Sequence, residues 1–297
     1  MVGMLAVTGG CSRDHIEAIN LANQGDQAYK VNVEGAIQKY EQAVQLDPTN
    51  HRIIKKLGQA YKKKEDWDKA ASTMARAVQA APEFADYWFE RGYALIKKAE
   101  GDANNKDVYE EAKEPLKQCT QKDPNFAECY HFLGQAHLWT GDEQAAIENY
   151  IKAIEHDPTQ PYFYGEVAEI LMSMRLYKDA EAILKEGTRL IPPREDTKDN
   201  LYTIYSMVAV AAQGSGDTAA MVVALEKANE FAGDTHPEIS FNLGSAYAAS
   251  QPPQREKAIQ MLKAFVKRAC RSANATKYKD ECADANSRIQ QLGGKID

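Results

Sequence analysis

Residues 54–82 read IKKLGQAYKKKEDWDKAASTMARAVQAAP. Leu57, Gly58 and Tyr61 stand at helical spacing, and so do Ala70, Met74 and Ala77. Between the two sets lies a polar stretch, KKKED, and Pro82 closes the segment. Apolar residues three and four apart predict two short amphipathic helices joined by a tight turn. Gly58 and the two alanines mark where the helix axes approach, because a small side chain lets them pack about 8–10 Å apart. Proline lacks an N–H and clashes with the preceding turn, so the second helix ends before Pro82.

The same register returns in residues 130–158, YHFLGQAHLWTGDEQAAIENYIKAIEHDP. Leu133, Gly134 and His137 replace Leu57, Gly58 and Tyr61, and Ala146, Tyr150, Ala153 and Pro158 follow in step. Prolines fall at positions 48, 82, 124, 158 and 192, with steps of 34, 42, 34 and 34. Leu243-Gly244-Tyr247 repeats the first-helix pattern, and Val167-Ala168-Leu171 and Val208-Ala209-Ala212 are weaker copies. Second-helix copies are Ala36-Tyr40-Ala43, Ala180-Leu184-Gly187 and Ala258-Leu262-Phe265. A fixed period of this length is the mark of a stacked repeat architecture.

The pattern resembles the tetratricopeptide repeat (TPR), a 34-residue helix–turn–helix unit. The resemblance implies an all-α fold, a right-handed TPR solenoid of about seven repeats with a C-terminal capping helix. The units fall near 17–50, 51–84, 85–126, 127–160, 161–194, 202–234 and 237–270. Residues 1–16 then form a stub and linker, 17–270 the solenoid and 271–297 the cap. Unit three carries eight extra residues and Pro115 within its second helix, where a kink is expected. In the cap, Ala283, Ile289 and Leu292 are expected on the apolar face.

By the family pattern, set positions of each first helix line a concave groove. These are Arg52, Lys55, Gln59 and Lys62 in unit two, and Phe89, Tyr93 and Ile96 in unit three. Unit four offers His131, Gln135, Leu138 and Trp139, and unit five Tyr162, Glu169 and Met172. The implied groove is basic at one end and aromatic in the middle, suited to an extended or helical peptide of another protein. The alternative is that Phe89, Leu138 and Trp139 only pack between neighbouring helices. Residues 52–69 hold seven basic and three acidic side chains, either a site for acidic partners or a solvated helix face. Chaperone-binding TPR domains use a Lys/Asn/Asn/Lys/Arg carboxylate clamp. Here Lys55 is followed by Gln59, Glu90, Glu128 and Phe132, which argues against that role.

A net charge of -7 argues against nucleic acid as a partner. No Gly-rich phosphate loop, His-Glu-x-x-His or Cys-x-x-Cys occurs, so no enzyme activity, cofactor or metal site is expected. After Cys11 the cysteines form two close pairs, Cys119 with Cys129 and Cys270 with Cys282. Two disulfides are expected, and with them an oxidising compartment. The alternative is that they are small buried residues in alanine slots.

The chain opens MVGMLAVTGGCSRDH. An apolar segment ending in Gly9-Gly10-Cys11 resembles a bacterial lipoprotein signal cleavage site, although Thr8 departs from it and ten residues without a basic one fall short of such a signal. Either the true start lies upstream or the resemblance is accidental. If it holds, it implies lipid on Cys11, a membrane tether, and an outer-membrane protein facing the periplasm. The expected function is then a binding scaffold or assembly factor for an envelope complex, similar in general build to pilotin-type TPR lipoproteins. The alternative is a cytoplasmic TPR adaptor with reduced cysteines.

Overall fold

The computed structural model describes residues 13–100, 104–233, 235–271 and 273–295. Cys11 lies outside the described residues. Fifteen α-helices and no strand occur among them. They divide into two compact units, one ending at His156 and one beginning at Asp157.

The N-terminal unit contains α1 (Arg13–Ala28), α2 (Val33–Leu46), α3 (His51–Lys63), α4 (Trp67–Ala80), α5 (Ala85–Ala99), α6 (Lys106–Lys122), α7 (Ala127–Thr140) and α8 (Glu143–His156). Successive helices pack in pairs, and within this unit each pair packs on the next. Helix α1 begins at Arg13, ahead of the boundary at residue 17 expected from the repeat register. Local chemistry starts the helices. Asn32, Asn50 and Asp66 cap α2, α3 and α4 by accepting a hydrogen bond from the backbone N–H three residues on. Gly141 ends α7 in the left-handed conformation, with φ of 90°.

Each pair closes on one small-to-large contact. A Cβ built on Gly58 would meet Met74, one on Gly92 would meet Leu116, and one on Gly134 would meet Tyr150. The alanines expected at the crossings, Ala36, Ala43, Ala70, Ala77, Ala146 and Ala153, are buried. Helix α6 continues through Pro115. The ring lies on the buried face with Ala112, Leu116 and Cys119, so its burial offsets the lost hydrogen bond.

The C-terminal unit contains α9 (Pro161–Ser173), α10 (Tyr177–Leu190), α11 (Lys198–Gly214), α12 (Thr218–Phe231), α13 (Glu238–Ala249), α14 (Arg255–Phe265) and α15 (Lys279–Gln291). Phe265, which replaces a small residue of the pattern, is buried against Phe241 and Tyr278, with ring centroids 5.3 and 5.8 Å apart. Helix α15 covers this end through Ala285 and Ile289. Ala283, expected on the apolar face, is exposed instead. The inward face follows 278, 282, 285 and 289, a helical row that residue 283 does not share.

Candidate binding surfaces

The expected groove residues of the N-terminal unit lie on α3, α5 and α7, and packing sorts them. Arg52 is exposed, and Gln59 is half-buried, its backbone carbonyl accepting a bond from the Tyr29 hydroxyl at 3.3 Å. Ile96 has 0% exposure and His131 7%, so both belong to the core and neither lines a surface. His131 sits against Phe132 and Tyr150, with centroids 4.8 and 5.5 Å away. Gln135 and Leu138 are half-buried.

The basic end is neutralised from within. The Lys62 ammonium lies 2.8 Å from Glu90 and 4.5 Å from the centre of the Tyr93 ring. Lys55 pairs with Asp86. Lys56 reaches Asp26 at 2.6 Å, Lys64 reaches Glu34 at 2.6 Å, and Lys63 donates to the Tyr29 carbonyl at 2.6 Å. Surface pairs of this kind contribute about 0–1 kcal/mol each, so their main effect is on the charge a partner meets. Within the run at residues 52–69, Lys55, Lys56, Lys62 and Lys64 thus pair with carboxylates of neighbouring helices, while Arg52, Lys63, Lys64 and Lys69 remain exposed to solvent.

The aromatic part is continuous over α5 and α7. Phe89 contacts Phe126, Phe132 and Tyr93, with centroids 4.9, 5.8 and 5.9 Å apart. Tyr93 meets Phe132 edge-on at 5.0 Å and Trp67 at 6.0 Å. Phe89 therefore packs between helices, while remaining only half-buried. Trp139 is 44% exposed, and its ring stacks on Tyr109 of α6 at 5.4 Å, apart from the Phe89–Tyr93 cluster. Tyr162, Glu169 and Met172 belong to α9 of the C-terminal unit, where the first two are exposed and Met172 is half-buried.

Sequence reading passed over a pocket of about 490 Å³ in the C-terminal unit, lined by residues of α11, α12, α13 and α15. Its signal is visible in retrospect. Tyr202, Ser206, Ala209 and Gln213 recur on one face of α11, and Asn242, Ala246 and Ala249 on one face of α13. Small residues at these places leave a hollow.

Beside it, Glu238 accepts bonds from the Tyr202 hydroxyl at 3.1 Å and the Tyr278 hydroxyl at 2.9 Å, and His236 Nδ1 lies 3.1 Å away. Burial pushes the Glu238 carboxyl up, but its own backbone N–H, Tyr278, His236 and Tyr202 outweigh this and hold it below the ordinary range. Burial and the adjoining Glu238 push the Tyr202 phenol up to about 12. A depressed carboxyl stabilises the fold above its unfolded value, about 4.3, and loses that contribution as pH falls through the folded value. Between about pH 5 and about pH 3 the wild type is expected to lose more stability than Tyr278→Phe, as read by acid titration of tyrosine signals. Equal losses in the two proteins would show that Tyr278 does not hold Glu238.

Cys119 and Cys129 form a disulfide with Cα atoms 6.0 Å apart, and Cys270 and Cys282 form another with Cα atoms 5.8 Å apart. The first ties α6 to α7. The second ties the segment after α14 to α15. No group of three or more His, Cys, Asp or Glu side chains among the described residues is placed to hold a metal ion. No helix among them is long and apolar enough to cross a membrane.

Paired helices closed by a small residue against a large one, and stacked within each unit, define a helical-repeat protein. The chain carries tetratricopeptide repeats. That family matches residues 32–91 and 127–160. Tetratricopeptide repeat protein 37 of Xenopus laevis is 25% identical over 148 residues, which is 48% of this chain. The chain spans only 9% of the length of that curated relative. Among solved structures, the C-terminal part of a TPR repeat-containing protein from Cytophaga hutchinsonii is similar with a TM-score of 0.66 at 18% identity, over 86% of this chain and 98% of that one. The pilF structure from Pseudomonas aeruginosa gives 0.53 at 17% identity, over 82% and 98% of the two chains. MamA from Desulfovibrio magneticus RS-1 gives 0.53 at 17%, over 61% and 97%. At these identities the likeness is one of fold alone.

Proposed function

We propose that this protein is a non-enzymatic scaffold or assembly factor for a bacterial envelope complex, and that it captures a partner protein on the first-helix face of α3, α5 and α7. The observation that carries this reading is the aromatic surface of Phe89, Tyr93 and Phe132, set among side chains whose charges are already paired. Aromatic side chains supply large contact area and are over-represented where binding energy concentrates. A partner segment rich in apolar and aromatic groups suits such a face, and an acidic tail does not. Crosslinking and pull-down from the native host test it. Tyr93→Ala with Trp139→Ala is expected to weaken capture at least about tenfold with helicity retained. Unchanged capture would move the site elsewhere.

The proposed setting is the periplasmic side of an outer membrane, with a lipid on Cys11. Two features support it: the Gly10-Cys11 step and the two disulfides, which persist in oxidising compartments. Acyl chains would hold the protein to the bilayer at about 0.8 kcal/mol per buried CH₂. Thiol counting on native, unreduced protein is expected to find none of Cys119, Cys129, Cys270 and Cys282 reactive. Four reactive thiols would favour a cytoplasmic adaptor.

A further inference from the structure

We propose that the C-terminal unit holds a second binding site, a pocket for an apolar molecule bearing a carboxylate, independent of the aromatic face of the N-terminal unit. The pocket of about 490 Å³ between α11, α12, α13 and α15 is within the range of small-molecule sites, about 300–1,000 Å³. Its lining is mixed: Met221, Leu225, Ile239 and Phe241 form an apolar part, and Ser206, Gln213 and Ser245 a polar one. Ala209 and Ala246 open the hollow by their small size.

One charged pair stands on this wall. Arg288 Nε donates to Asp284 Oδ2 at 2.8 Å, one turn back along α15. That bond anchors one edge of the guanidinium. Among the described residues, its two terminal amino groups have no hydrogen-bond partner. A planar fork with one edge anchored and its terminal donors open matches a carboxylate, which accepts two parallel hydrogen bonds. Asp284 offsets the charge of Arg288, so a bare anion gains little, and the apolar part of the lining must supply the rest of the affinity. This selects a molecule with an apolar body and one carboxylate head. Asn242, exposed on α13, adds an amide to the same lining.

The wall that carries Arg288 is held in place beforehand. The Cys270–Cys282 disulfide, the Tyr278 hydroxyl on Glu238 at 2.9 Å, and buried Ala285 and Ile289 all fix α15 to the unit. A site that is already ordered loses less entropy on binding. Such a carboxylate has two sources, a free aliphatic acid or the C-terminal end of a peptide with apolar side chains.

Titration of the full chain, labelled at methionine and isoleucine methyl groups and followed by NMR, tests the proposal. The probes are octanoate, octanamide, N-acetyl-Leu-Phe and its C-terminal amide. Saturable shifts of the Met221 and Ile239 methyls are expected, with at least one acid binding about tenfold or more tightly than its matching amide. Arg288→Gln is expected to bring acid and amide to parity, and Arg288→Lys, which keeps charge without the fork, to fall between. Response to octanoate alone identifies a free acid as the source, and response to the acetylated dipeptide a chain end. No shift at either methyl with any probe, or equal affinity of acid and amide in the wild type, would overturn the assignment. Neither result bears on partner capture by the aromatic face.

Discussion

Truncating Tyr150 to alanine is expected to cost the N-terminal unit about 3–5 kcal/mol. Tyr150 has 0% exposure and fills the crossing of α7 and α8. Its ring sits where Gly134 leaves room: a Cβ on Gly134 would lie 2.8 Å from two ring carbons and 3.1 Å from the Ala146 carbonyl oxygen. Gly134→Ala is therefore overpacked, a cost of about 1–3 kcal/mol. Against this stands a gain of about 1 kcal/mol from replacing glycine within a helix. The two substitutions should couple. With Tyr150→Ala in place, only the contact with the Ala146 carbonyl oxygen at 3.1 Å remains, so Gly134→Ala costs less than it does in the wild type. Gly58→Ala is a useful contrast, because there the Cβ meets the flexible Met74 side chain at 2.5 Å and no backbone atom within reach. Urea unfolding read by tryptophan fluorescence makes the measurement local, since Trp67, Trp88 and Trp139 all lie in the N-terminal unit. Strictly additive costs for Gly134→Ala and Tyr150→Ala would show that the crossing is not the close contact described.

Removing the Cys119–Cys129 crosslink is the second large effect expected. The cysteines are 10 residues apart. Closing so short a loop restricts the unfolded chain by about 2.5–3 kcal/mol on the chain-entropy treatment. Cys119 occupies the slot that alanine fills in Ala43, Ala77 and Ala153, so alanine at this position removes the bond with little loss of packing. Cys119→Ala with Cys129→Ala should lower the urea midpoint of the tryptophan signal, and reducing agent should do the same to the wild type. Identical midpoints for oxidised and reduced wild type would mean that the crosslink carries no stability. The Cys270–Cys282 bond should leave this signal untouched, because it acts on α15 of the other unit.

The helix pairs were legible in the amino-acid sequence because their causes are local. Leu57-Gly58 and Ala70-Met74-Ala77 lie within one helix each, and backbone hydrogen bonding at i, i+4 makes their spacing a direct record of one face. The placing of α13 and α14 was readable from Leu243-Gly244 and Ala258-Leu262 for the same reason. The candidate sites were legible only in part. Ile96 and His131 carry groove positions of the repeat pattern, yet both are buried in the core. Trp139 finds Tyr109, 30 residues away, and no spacing rule reaches that far.

By itself, then, the sequence determined an all-α repeat of helix pairs and where small residues let the axes meet, because both follow from contacts within a turn or two of chain. Only the tertiary structure decided which lysines are spent on carboxylates of neighbouring helices, which aromatics remain at the surface, and that α11, α12, α13 and α15 line a pocket. Those outcomes depend on how each helix is rotated and stacked against residues about 30 or more positions away, as Lys62 with Glu90 and Tyr278 with Glu238 show. Packing of many side chains at once sets that rotation, and no local spacing encodes it.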